Sequence, residues 1–183
     1  VGLLLGALLP CVVGATTMTA VGKAAGAIVE EPELPEGFDG LTEAHATIMP
    51  FEASRGRGFE YREHRDGLTD VFRAFVEEGQ ATAFEDYVAA QDLAIRCRTG
   101  VDKLFETYDL FITPSAVGEA IELGGLTGNP MFSRLWTLLH LPLINLPAAT
   151  SPQGLPVGIQ LVGRHGADNK LLSDAQWVRD RLS

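Results

Sequence analysis

The sequence predicts an α/β protein in which a β-sheet is flanked by helices. Apolar runs of strand length occur at residues 1–5, 27–33, 109–114, 143–146 and 156–163. Between the second and the third of them, apolar residues recur at helical rather than strand spacing. The first two runs are separated by a stretch long enough for a crossover helix, which sets them side by side as a parallel pair. At 183 residues, with 46% apolar and 21% charged positions, the chain can build a core without metals or disulfides.

The elements follow in chain order. Val1 to Leu5 reads as a buried strand, residues 15–25 as a weak helix stopped at Gly26, and Ala27 to Glu33 as a second strand that ends toward Pro35. From Asp39 the stripe Leu41, Ala44, Ile48 and Phe51 marks a helix, with Pro50 as its kink or boundary. Leu68, Val71, Phe72, Phe75 and Val76 define an amphipathic helix ended by Gly79. Thr82 and Glu85 have capping-box spacing and open the longest helix, which runs to about Tyr108. Asp109 to Pro114 is a strand with a proline stop, followed by a loop rich in glycine over residues 115–128. Met131 to His140 is a helix apolar on most sides and therefore buried. Two more strands, Leu143 to Leu146 and Pro156 to Gly163, are joined by a turn around residues 151–154. Asp168 caps a closing helix that turns Leu171, Leu172, Ala175, Val178 and Leu182 inward.

Charge separates the chain into regions. The formal net charge is -10, and residues 30–109 hold 19 acids against 8 bases, while residues 110–183 hold 5 of each. An acidic chain does not suit a nucleic-acid partner, since phosphate recognition needs a basic surface. The acids read as the solvated side of the helical region 39–108, and the neutral remainder carries strands and glycine-rich loop over 109–183. The uncharged start resembles a secretory segment but lacks a basic flank and is broken by Pro10, and its glycines and threonines interrupt any membrane span. Two distant cysteines, Cys11 and Cys97, define neither a disulfide framework nor a metal site; both read as small buried hydrophobes, which leans toward a reducing, cytoplasmic setting.

Most chemical motifs fail on spacing. Gly14 to Lys23 fails the spacing of a phosphate loop, with Thr17 where the first glycine belongs and Ala24 in place of the hydroxyl after Lys23. His45, His64, His140 and His165 never pair at ligand spacing, so no metal and no cofactor is expected. None of the serines at 54, 115, 133, 151, 173 and 183 lies in a nucleophile elbow or a glycine run, and Lys23, Lys103 and Lys170 have no local context that would make a base.

The last third nevertheless carries a specific pattern. It comprises Asp109-Leu-Phe-Ile-Thr-Pro114, Thr127-Gly-Asn-Pro-Met-Phe132, Leu141-Pro-Leu-Ile-Asn-Leu-Pro147, Gly154-Leu-Pro-Val-Gly-Ile-Gln-Leu-Val-Gly163 and Asp168 to Leu172. In order and spacing it resembles the C-terminal half of the amidase signature family, and Ile48 to Arg55 is similar to the segment that precedes it there. The resemblance implies a mixed β-sheet core flanked by helices, with residues 1–183 forming the C-terminal portion of one α/β domain.

It also implies an amidase, hydrolysing a carbon–nitrogen bond with a lysine and two serines, one following a cis peptide bond. No position here matches those three residues, so no catalytic residue is assigned and the chain by itself is expected to be inactive. A noncatalytic pseudoenzyme or interaction module derived from the same fold is the alternative. For the acyl pocket the resemblance points to Thr127, Met131, Phe132 and Trp136, a lining that favours a hydrophobic or aryl amide. The expected partner is a small-molecule amide in the full-length protein, with homo-oligomerisation left open and neither nucleic acid nor membrane expected.

Overall fold

The computed structural model describes residues 2–5, 26, 28–30, 32–122, 124 and 128–182. They fall into two units, Val1–Pro35 with Arg98–Ser183, and Glu36–Cys97. The expected helix at 15–25, Cys11 and Lys23 lie outside the described residues.

The first unit is built on a five-stranded mixed sheet of order β2-β1-β3-β5-β4, with β1 Gly2–Leu5, β2 Ile28–Glu30, β3 Leu110–Pro114, β4 Leu143–Thr150 and β5 Pro156–Val162. The strand pairs β1/β2 and β1/β3 are parallel. Both β3 and β4 run antiparallel to β5; for β4 and β5, which are consecutive, the tight turn at residues 151–154 requires it. Side chains alternate faces, and residues directly opposite each other across a ladder share one. Ile112, Leu161 and Ile144 are in register and form one row. That row packs against the closing helix Asp168–Leu182 through Leu171, Ala175 and Val178. The hydrophobic face of each element is thus buried against the other, which is what stabilises a sheet covered by a helix. Leu172, expected to face inward, is 59% exposed, because the buried stripe of that helix steps from Leu171 to Ala175 to Val178 and leaves Leu172 off it.

The second unit is helical: Leu41–Gly56, Gly58–Glu63, Asp70–Ala81 and the part of Phe84–Leu104 up to Cys97. The stripe Leu41, Ala44, Ile48 and Phe51 is buried as its spacing requires. Sequence expectations are corrected at four positions in this unit. Of the two roles expected of Pro50, the boundary is not met, since the first helix runs through it to Gly56. Gly79 does not end its helix, which continues to Ala81; it is buried where the two helices meet, and a Cβ on it would overlap the Pro50 carbonyl and come within 2.9 Å of the Phe51 nitrogen. Glycine is needed there for close approach, not for a turn. Thr82 does not open the long helix: its hydroxyl donates back to the Glu78 carbonyl at 3.0 Å, closing the preceding helix, and the next begins at Phe84. Val71, placed in the apolar stripe, is 80% exposed, while Val76 is fully buried. Arg55 ties the two helices, donating to the Gly79 carbonyl at 3.0 Å with its guanidinium over the Phe51 ring.

Candidate functional site

The face of the sheet opposite the closing helix is where polar groups gather. In register across the three antiparallel strands stand Thr113, Gln160 and Asn145, and the next row outward brings Ser115 to Gly158, its amide donating to the Gly158 carbonyl at 3.5 Å. Thr113 and Gln160 are 1% and 3% exposed, Ser115 and Gly158 half-buried, and Asn145 exposed, so the cluster runs from the interior to the surface. Gly158 lets these groups converge: a Cβ there would lie 2.6 Å from both Ser115 Oγ and Asn145 Oδ1. A register shift between Pro147 and Ala149 bends β4 beside the cluster; bulges of this kind re-aim side chains and recur next to functional sites.

Helix α1, Met131–Leu138, covers the inner end of this face. Asn129 starts it by accepting the Met131 amide on its side-chain oxygen at 3.1 Å, which satisfies one of the first-turn donors. At the other end His140 takes a left-handed conformation, φ 58°, and its amide and that of Leu141 bond back to the Thr137 and Trp136 carbonyls. This is the paired closure by which a helix satisfies its last carbonyls, with histidine standing where glycine is usual. Arg98 completes the end by donating from Nε and Nη2 to the Leu138 carbonyl at 3.1 and 2.8 Å. The two termini position α1, and Gln160 then anchors it to the sheet by donating from Nε2 to the Phe132 carbonyl at 3.2 Å.

The residues that the sequence singled out fall as follows. Thr127 lies outside the described residues. Met131, Phe132 and Trp136 are brought together on α1: Met131 is half-buried, and Phe132 and Trp136 are 8% and 1% exposed. The Trp136 ring packs on Phe111 at 5.6 Å, and Phe111 on Phe105 at 4.4 Å, so these aromatics close the core beneath the polar row. Sequence reasoning missed the polar row itself. The available signal was a threonine, a glutamine and an asparagine each in the middle of an apolar strand, where a buried polar side chain requires a partner.

Other groups of the described residues are committed elsewhere. Ser54 and Ser173 donate to the carbonyls of their own helices, and Ser151 accepts the Leu155 amide. Burial pulls the Lys170 ammonium down, but Asp174 at 2.7 Å and Asp109 at 3.3 Å outweigh it and hold the amine above its ordinary value, the reverse of what a general base needs. Burial pushes the Cys97 thiol up, which leaves it an inert apolar filler. No group of three metal-ligating side chains occurs among the described residues. In the helical unit an open groove of about 760 Å³ is lined by alanines and the carboxylates of Glu43, Glu78 and Asp86; its threonines, Thr47 and Thr82, both donate to carbonyls of their own helices. None of the helices among the described residues is long and apolar enough to cross a membrane.

Comparison with known proteins gives this arrangement a context. A family model described as Amidase matches residues 19–172. A glutamyl-tRNA(Gln) amidotransferase subunit of Alkaliphilus metalliredigens is 29% identical over 86% of this chain and 38% of its own length. The subunit of the same name from Prochlorococcus marinus is 29% identical over 87% of this chain and 41% of its own length. Among solved structures, one described as an amidase matches with a TM-score of 0.81 at 24% identity, covering 100% of this chain and 46% of the other. The corresponding glutamyl-tRNA(Gln) amidotransferase subunit of Thermotoga maritima matches with a TM-score of 0.65 at 21% identity, covering 97% and 40%. The chain therefore spans about two fifths of the length of the curated relatives it matches.

Proposed function

Since the chain belongs to the amidase family, we propose that it is the C-terminal portion of an amide hydrolase whose Ser-cis-Ser-Lys triad lies outside these residues. The observation that carries this reading is the family match over residues 19–172, which takes in the whole polar row and α1. It is supported by the state of the nucleophiles and bases in hand: Lys170 is held protonated by two carboxylates, and the Cys97 thiol is suppressed by burial.

In the proposed reaction a lysine amine takes the proton of the bridging serine. That serine takes the proton of the nucleophilic serine as its oxygen attacks the amide carbon. Collapse of the tetrahedral adduct breaks the carbon–nitrogen bond, the departing amine leaves with a proton, and water then cleaves the acyl-serine. This chain contributes the wall of the acyl pocket through Thr127, Met131, Phe132 and Trp136, an apolar lining suited to a hydrophobic or aryl amide.

The test is hydrolysis of an amide series by the full-length protein and by these 183 residues. Turnover by the full-length protein that a serine-directed fluorophosphonate abolishes, with none from the chain alone, is the expected result; turnover by the chain alone refutes the placement of the triad. For the pocket, Met131→Ala at a half-buried position and Trp136→Ala are expected to shift preference between aryl and short alkyl amides. Unchanged preference in both removes the lining role.

A further inference from the structure

We infer that Gln160 is a positioning residue: by holding the Phe132 carbonyl it fixes where the first turn of α1 stands over the sheet, and so sets the selectivity of the acyl pocket that α1 would wall. Gln160 lies in the middle of β5, buried between Ile159 and Leu161. A glutamine there costs the desolvation of an amide, which an apolar side chain of the same length would avoid. What it supplies in return is one directional bond, from Nε2 to the Phe132 carbonyl at 3.2 Å, made to a residue 28 positions earlier in the chain.

Phe132 and Trp136 add apolar contact beneath α1: both are buried, and Trp136 packs on Phe111 at 5.6 Å. Contacts of this kind have no preferred direction, so a helix resting on them can slide by a few tenths of an ångström at little cost. A hydrogen bond resists the slide, because it weakens steeply as its angle opens. The strand that carries Gln160 is itself held. Gln160 is in register with Thr113 on one side and Asn145 on the other, and a Cβ on Gly158 would meet Ser115 Oγ and Asn145 Oδ1 at 2.6 Å, so the three strands pack closely here. Rigid support thus reaches the first turn of α1 through Gln160, while Arg98 fixes the last turn at the Leu138 carbonyl. Met131, the half-buried member of the proposed lining, precedes Phe132 by one residue and moves with it. The inference rests on the amide-hydrolase reading for the reaction that is tuned; the tie between Gln160 and α1 does not.

The experiment uses the full-length protein with two substitutions. Gln160→Met keeps the length of the side chain and removes the donor. Gln160→Glu keeps its shape; beside the uncharged Thr113 and Asn145, burial raises the new carboxyl, whose neutral form can donate to the Phe132 carbonyl and whose ionised form cannot. The readout is the ratio of KM for an aryl amide to KM for a short alkyl amide, in which titration of the shared catalytic groups cancels. Gln160→Met is expected to change that ratio about five-fold or more. Gln160→Glu is expected to keep the parent ratio at acid pH and to approach that of Gln160→Met as pH rises, while the parent ratio stays flat. Should Gln160→Met fail to fold, the pH course of Gln160→Glu decides by itself. A ratio equal to the parent's in Gln160→Met, or one independent of pH in Gln160→Glu, overturns the positioning role, even if both variants melt at lower temperature. Hydrogen exchange over residues 131–138, followed by mass spectrometry, separates this from the amidase reading. A protein that hydrolyses no amide, but in which Gln160→Met speeds that exchange about ten-fold, removes the amidase and keeps Gln160 as the residue that positions α1; exchange unchanged in such a protein removes both.

Discussion

Replacing Gly79 by alanine sets local preference against packing, and packing is expected to win. In an isolated helix the change would favour folding by about 1 kcal/mol. In the second unit, however, the new Cβ would overlap the Pro50 carbonyl and reach 2.9 Å from the Phe51 nitrogen, both main-chain groups that cannot swing aside. To restore an ordinary separation the helices Leu41–Gly56 and Asp70–Ala81 must part by about 1 Å or more. That movement stretches the Arg55 bond to the Gly79 carbonyl and opens the packing around the fully buried Val76. Overpacking of this kind costs about 1–3 kcal/mol, and a weakened bond from a charged donor adds to it. After the helical gain is subtracted, a net loss of about 2 kcal/mol is expected, or about 4–8 °C in melting temperature for a chain of this size. The assay is urea unfolding followed by far-ultraviolet circular dichroism, with Gly56→Ala, where an added Cβ meets nothing within 4 Å, as the control that is neutral or slightly stabilising. A Gly79→Ala protein with a midpoint equal to or above the parent refutes the close approach of the two helices.

Removing the guanidinium by Arg98→Met leaves the Leu138 carbonyl at the end of α1 without its two charged donors, and urea midpoints should show a loss of about 1.5–3 kcal/mol. Lys170 predicts an alkaline effect. Its folded-state value is raised, so the ion pairs with Asp174 and Asp109 contribute fully below the ordinary lysine value and are lost as pH rises through the raised one. At about half exposure the contribution stays below about 1 kcal/mol; thermal melts of the parent are expected to show a fall in stability above about pH 10, and Lys170→Met is expected to flatten it.

Much of the architecture was legible because its signals are local. Runs of aliphatic residues bounded by Asp109 and Pro114, or by Pro156 and Gly163, needed only strand length and a stop to be read, and the stripe from Leu41 to Phe51 needed only helical spacing. The corrected positions share one feature. Pro50, Gly79 and Thr82 carry strong local preferences to break or start a helix, and each is overruled by a group distant in sequence or on the neighbouring turn: Gly79 accommodates Pro50, and Thr82 bonds back to Glu78. Val71 and Leu172 fit the apolar period of their helices, yet both are exposed, since periodicity gives a stripe but not its width.

By itself the sequence determined which segments become strands and helices, where the charge lies, and the motif order that marks the family, because period, turn chemistry and composition act over a few residues. Only the tertiary structure decided that Thr113, Gln160 and Asn145 form one row over Gly158. The meeting of those residues depends on the register of three strands drawn from separate stretches of chain, where a slip of one residue would turn each side chain to the other face.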